Sequence, residues 1–148
     1  MHGALGQARV MRQAATEVII QTPGQGLHEM TDVVLRWVAG RAIDTGLLTL
    51  FVRHTSASLL IQENAAPAAR RDVERYFAAV APESTAYEHD DEGPDDMPAH
   101  LRAALTATSL SIPVMGGRPV LGTWQEIYLF EHRRAPHRRR VALHVIGA

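Results

Sequence analysis

Between Ser109 and Ile146 the chain lays down three β-rich segments in succession, with no helical pattern between them. They are Ser109–Met115, Thr123–Glu131 and Arg138–Ile146, joined through Gly116-Gly117 and through Arg133–His137. In the last, Arg139, Val141, Leu143 and Val145 alternate with Arg140, Ala142, His144 and Ile146, the period of two that fits a strand. Strands that do not alternate regularly with helices argue against a doubly wound sheet. They predict an α+β domain with a mainly antiparallel sheet and two or three helices.

The first half of the chain fits this class. Thr16–Thr22 is rich in β-branched residues and reads as a strand, followed by a turn at Pro23–Gly26. Thr31 is placed to cap a helix carrying Val34, Trp37 and Val38 at helical spacing. Leu47–Arg53 is a strand whose Leu48, Leu50 and Val52 share a face with the following His54, and Ser58–Glu63 is also extended. Pro67–Val80 is the clearest helix, with Ala69, Val73, Tyr76, Phe77 and Val80 as its buried stripe. Met97–Thr106 is a further helix, with Leu101 and Leu105 one turn apart.

At 148 residues this is one domain, expected over 16–148, with residues 1–15 a weakly structured N-terminus or a lead-in to the first strand. Cysteine is absent, which excludes thiolate metal sites, cysteine nucleophiles and disulfides. Lysine is absent too, which excludes Schiff-base chemistry and a P-loop lysine. Met1–Ala15 has no apolar run of signal-peptide length, and no segment approaches the roughly 18 apolar residues of a membrane span. The expectation is a soluble cytoplasmic protein without a membrane partner.

The net charge of −1 conceals a separation of sign. Glu83, Glu88, Asp90, Asp91, Glu92, Asp95 and Asp96 form an acidic block, whereas the chain from His132 onward carries five arginines and no acid. Strand alternation divides Arg138 and Arg140 from Arg139, and no aromatic residues interleave with them. A solvated hairpin, or a partner for the acidic loop of a neighbouring subunit, fits better than a nucleic-acid surface.

His89 to His100 places two imidazoles and five carboxylates in one turn-rich segment that runs into a helix start. Like charges this close repel, and a bound cation would offset the repulsion. Imidazole and carboxylate are ligands that zinc, magnesium and manganese accept. His54, His89 and His100 come from separate segments and make a candidate three-nitrogen site with an open position. Asp95 and Asp96 precede a helix with Pro98 in its first turn, so one of them is expected to cap it. The other is then free to bind the metal or to orient a ligating imidazole. Glu92 and Glu63 are the further candidates for a base. Thr55, Ser56 and Ser58 offer hydroxyls and backbone N–H groups for a phosphate, and Arg118 and Gln125 complete the candidate substrate contacts. A serine–histidine hydrolase reading fails for want of a nucleophile elbow. Trp124 reads as core or subunit interface. Glu131 shares a strand face with Gln125, Ile127 and Leu129, and its carboxylate would need a partner there, for which arginine is the simplest choice.

His54-Thr55-Ser56-Ala57-Ser58-Leu59, Glu63-Asn64, Asp90–His100, Ile112-Pro113 and Gly122-Thr123-Trp124-Gln125 together resemble the YjbQ-like family, also described as secondary thiamine-phosphate synthases. The resemblance covers roughly residues 16 to 147 in order. It departs at Ala66, where the family usually has Asp, and at Glu126, where a small residue is common. It implies a compact α+β fold, a homotrimer, and a site around His54 and His100 that often holds a metal. The implied activity joins a pyrimidine diphosphate to a thiazole phosphate. Two readings follow. One is a metal-dependent enzyme acting on a phosphorylated small molecule. The other is a non-enzymatic metal- or ligand-binding homotrimer whose site serves assembly or sensing.

Overall fold

The computed structural model describes residues 9–148. Eight strands and three helices are found among the described residues, in the order β1 (Arg12–Thr22), β2 (Gly26–Glu29), α1 (Thr31–Ala39), β3 (Gly46–Val52), β4 (Ala57–Glu63), α2 (Pro67–Val80), α3 (Asp96–Leu105), β5 (Ser109–Met115), β6 (Arg118–Pro119), β7 (Gln125–Glu131) and β8 (His137–Gly147). A five-stranded sheet runs β1-β8-β3-β5-β6 and a three-stranded sheet runs β2-β7-β4. Every pairing is antiparallel. The fold is therefore α+β, as the strand succession predicts.

One face of each sheet supplies the core. Leu48, Leu50 and Val52 of β3, Val141, Leu143 and Val145 of β8, and Ile112 and Val114 of β5 pack with Leu59, Ile127 and Leu129 of the smaller sheet. Val34 and Val38 of α1 close one side of this core. Arg139 is the polar member of the inward face of β8, at 3% exposure.

Several local expectations are corrected. β1 begins at Arg12, so Arg12–Ala15 of the expected lead-in are strand, and residues 1–8 lie outside the described residues. Gly26 opens strand β2 as well as ending the Pro23 turn, and the two-residue β6 follows Gly116-Gly117. Thr31 does not cap α1: it lies within the helix, and its hydroxyl accepts the Ile127 N–H of β7 at 2.8 Å. In α2 only Ala69, Val73 and Phe77 of the expected stripe are half-buried, while Tyr76 and Val80 are exposed. α2 rests on the small sheet alone, through Val73 and Phe77 against Leu27, Tyr128 and Phe130. In α3 the inward face is Ala99, Arg102 and Ala103, and Leu105 is exposed. Trp124 is 64% exposed and so is no part of this chain's core.

β3 and β8 come unusually close where Gly46 faces Gly147. A Cβ on Gly46 would lie 2.3 Å from the Ile146 carbonyl oxygen, which is fixed backbone. Gly46→Ala is expected to destabilise the fold by on the order of 1–3 kcal/mol, read as a lower urea midpoint.

Candidate metal centre

The acidic loop and the start of α3 bring four ligand-type side chains together. His89, Glu92, Asp96 and His100 each present one nitrogen or oxygen, and these atoms lie within 4.8 Å of one another. His89 Nε2 is 2.8 Å and His100 Nε2 3.2 Å from the same Asp96 Oδ2. Glu92 Oε2 is 3.2 Å from His89 Nε2. Asp96 and His100 are four residues apart on α3, which puts both side chains on one helix face. Gly93, with φ of +99°, makes the left-handed turn that returns the loop to the helix.

The tautomer of His100 follows from its other nitrogen. Nδ1 is 2.9 Å from the Thr55 carbonyl, which can only accept, so Nδ1 carries the proton and donates. In the neutral ring Nε2 is then a lone pair facing a carboxylate oxygen. That lone pair is placed to bind a metal ion shared with Asp96. At His89 the hydrogen bond to Asp96, with the Asp91 charge and the hydrogen bond to Glu92, holds the pKa above the ordinary imidazole value, against a smaller effect of desolvation. Burial pushes the Asp96 carboxyl up, but His89, His100 and Arg133 outweigh it and keep its pKa below the usual carboxylate range. The donor set of two imidazoles and two carboxylates fits zinc or manganese, and the Nδ1–H···O=C bond at His100 is the usual support of a ligating histidine.

Neither aspartate caps α3 through its side chain. Arg133 takes both instead, with Nε donating to Asp95 Oδ2 at 3.0 Å and Nη1 to Asp96 Oδ1 at 2.5 Å. Arg133 Nη2 also donates to the Glu92 carbonyl at 3.0 Å, and the Arg134 N–H donates to Asp95 at 2.9 Å. The loop's negative charge is thus offset by arginine from the β7–β8 connection of its own chain. The sequence allows the Arg cluster as a solvated hairpin or as a partner for a neighbouring subunit's acidic loop; Arg133 and the Arg134 N–H pair with the acidic loop of their own chain.

His54 does not join the cluster. Its Nε2 accepts the Arg140 N–H at 2.8 Å, and burial followed by the Arg139 charge lowers its pKa. Of the three expected imidazoles two meet, and Glu92 and Asp96 complete the group. Among the expected phosphate contacts, Thr55 is exposed and its carbonyl accepts from His100, and the Ser56 hydroxyl accepts from Arg139 at 3.0 Å. Ser58 is fully buried and its hydroxyl lies 2.9 Å from His132 Nε2, so it cannot reach a substrate. Glu63 and Gln125 lie beside a separate cavity at the far end of β4, about 17 Å along the strand from Ser58. Arg118 is exposed on the sheet-edge strand β6.

Behind the site sits a polar interior of which the sequence reveals only a part. Glu131 is fully buried and accepts from Arg139 Nε at 2.7 Å, Arg139 Nη2 at 2.5 Å, the Thr22 hydroxyl at 2.6 Å and the His132 and Arg133 N–H groups. The arginine partner expected for this carboxylate is therefore present. Next to it, His132 is 1% exposed, and burial with the nearby Arg102 charge lowers its pKa to about 3. Its alternation with Phe130 past the end of a strand is the one sequence signal for its burial.

The same architecture recurs in other proteins. The family model described as UPF0047 protein YjbQ-like matches residues 16–148. This chain is 48% identical to the UPF0047 protein sll1880 of Synechocystis over 97% of its own length and 98% of the relative's.

The chain belongs to the UPF0047 (YjbQ-like) family.

It is also 48% identical to UPF0047 protein YjbQ of Salmonella typhimurium, over 74% of this chain and 80% of that one. A YbjQ-like protein of unknown function from Sulfolobus solfataricus shares the fold with a TM-score of 0.87 at 24% identity, covering 94% of this chain and all of that one. A conserved hypothetical protein from Thermus thermophilus gives a TM-score of 0.73 at 32% identity, over 86% of this chain and 97% of that one. No helix among the described residues is long and apolar enough to cross a membrane.

Proposed function

We propose that this UPF0047 protein is a metal-dependent enzyme acting on a phosphorylated small molecule, with thiamine-phosphate synthase activity as the reaction. The carrying observation is the convergence of His89, Glu92, Asp96 and His100 within 4.8 Å at a partly open surface. His100 and Asp96 would hold the ion from α3, and His89 and Glu92 from the loop. A bound divalent ion would supply Lewis-acid stabilisation of diphosphate charge. The Thr55 carbonyl fixes the His100 tautomer, and Arg133 orients Asp96 through its second oxygen. In the reaction the pyrimidine–diphosphate C–O bond breaks, pyrophosphate leaves with the electron pair, and the thiazole nitrogen forms the new C–N bond.

A second reading, a structural metal site in a non-enzymatic assembly, has one observation against it. Arg133 already ties the loop to the sheet, so the loop does not need a metal to hold it. The homotrimer belongs to this proposal as well. Exposed Tyr76, Val80, Leu105 and Trp124 are apolar surface that subunit contacts would cover.

The test is thiamine phosphate formation by protein loaded with zinc, magnesium or manganese. His100→Ala is expected to lower the rate at least 100-fold, and EDTA to abolish it with the oligomer intact. No product above background, with His100→Ala behaving as the wild type, would end the enzymatic reading. Loss of the oligomer or a large fall in melting temperature in EDTA would favour the structural one.

A further inference from the structure

Arg102 lies two residues beyond His100 on α3 and so faces a different direction. It is 7% exposed. Its Nε and Nη2 donate to the Ala81 carbonyl at 3.2 and 2.8 Å, and no carboxylate among the described residues lies within ion-pair distance of it. A guanidinium carries five N–H donors, and a single neutral carbonyl leaves most of them without a partner, while Asp95 and Tyr87 act on its charge only from beyond contact distance. The other buried arginine, Arg139, has Glu131 at 2.5 Å, so an unpaired buried guanidinium is not a general habit of this core.

Arg102 borders a cavity of about 520 Å³ between α2 and the β2–β7 edge. This is a volume that suits a small organic ligand. Phe77 and Phe130, edge to face at 5.4 Å between centroids, form its apolar wall. Arg71 and Arg75 of α2 stand at its rim, and Arg75 is paired with Asp72. The Glu74 carboxylate is held by the Leu27 N–H at 3.0 Å, and Glu131 is neutralised by Arg139. The cavity thus has a positive end and an aromatic side.

We propose that this cavity is a binding site for a small organic anion, with a phosphate, sulfate or carboxylate group on Arg102 and Arg71 and a flat apolar body against Phe77 and Phe130. Arginine matches such oxyanions with paired N–H donors, and a bound anion supplies the counter-charge that Arg102 lacks at contact distance. The site is separate from the metal cluster, and its occupancy does not depend on the proposed reaction.

Calorimetric titration with phenyl phosphate at pH 7.5 tests the assignment, with EDTA present so that metal-bound phosphate cannot contribute. Phenyl phosphate is expected to bind at least tenfold more tightly than inorganic phosphate, and phenol not measurably. Arg102→Met removes the charge and Ala78→Trp fills the cavity without altering charge; each is expected to weaken binding at least tenfold. His100→Ala is expected to leave it unchanged. If Arg102→Met fails to fold, Ala78→Trp on the outer helix decides. Absence of binding to the wild type overturns the assignment. So does binding that survives the substitutions, or binding lost in His100→Ala.

Discussion

Replacing Glu131 by alanine is expected to cost the folded protein about 3–5 kcal/mol. Glu131 is fully buried and Arg139 is 3% exposed. Removing the carboxylate leaves an interior guanidinium with only the oxygens of Ser56 as partners, strands the Arg133 N–H, and leaves the Thr22 hydroxyl and the His132 N–H only their longer bonds to the His137 and Ser56 carbonyls at 3.3 Å. Burial raises the Glu131 pKa, and the bonds from Arg139, Thr22 and the Arg133 N–H more than reverse this, so the group is charged in the folded state. The pair as a whole contributes much less than the single substitution suggests, because desolvating two ions opposes their attraction. Glu131→Leu combined with Arg139→Met is therefore expected to be more stable than Glu131→Ala. Urea denaturation of wild type, Glu131→Leu, Arg139→Met and the double variant measures the coupling. A Glu131→Ala protein within about 1 kcal/mol of the wild type would show that the ion pair is not what holds this interior.

The architecture is legible in the sequence because it rests on periodicity. The alternation in β8 and the helical run from Pro67 to Val80 both appear in the structure, the latter with the same bounds. Partner geometry is less legible. Leu101 and Leu105 lie one turn apart on α3, yet the helix turns Ala99, Arg102 and Ala103 inward. The inward polar groups are satisfied by residues far away in sequence: Asp95 and Asp96 by Arg133, and Arg102 in part by Ala81. No local pattern announces such pairs. The metal cluster is half legible for the same reason. His89, Glu92, Asp96 and His100 lie within one short segment, so proximity in sequence already implies proximity in space. His54 reaches its neighbours only through strand pairing, and those neighbours use its Nε2 for the Arg140 N–H. Ser58 stands close to His54 in sequence, whereas the fold gives it His132.

His132 carries the second large effect, a loss of stability on mild acidification. Its folded pKa is about 3, lowered by burial and then by the Arg102 charge, against about 6.5 for an exposed imidazole. Well above this ordinary value the ring is neutral in both states and contributes no pH dependence. As pH falls below it the unfolded chain binds a proton that the folded chain refuses, so stability declines until the folded pKa near 3 is reached. By about pH 5 the loss from this one residue is about 2 kcal/mol. His89 acts with the opposite sign, since its folded pKa is raised, so the wild-type profile alone does not isolate His132. His132→Gln does: glutamine keeps a hydrogen-bonding group near Ser58 and does not titrate. Between about pH 7 and pH 5 the wild type is expected to lose about 2 kcal/mol more than His132→Gln, read from urea midpoints at each pH. The carboxyls of Asp95 and Glu131, with pKa values below their ordinary range, add their losses at lower pH and in both proteins alike. Parallel declines in the two proteins over this interval would mean that the buried imidazole takes up a proton in the folded state, and that the Ser58–His132 contact is open to water.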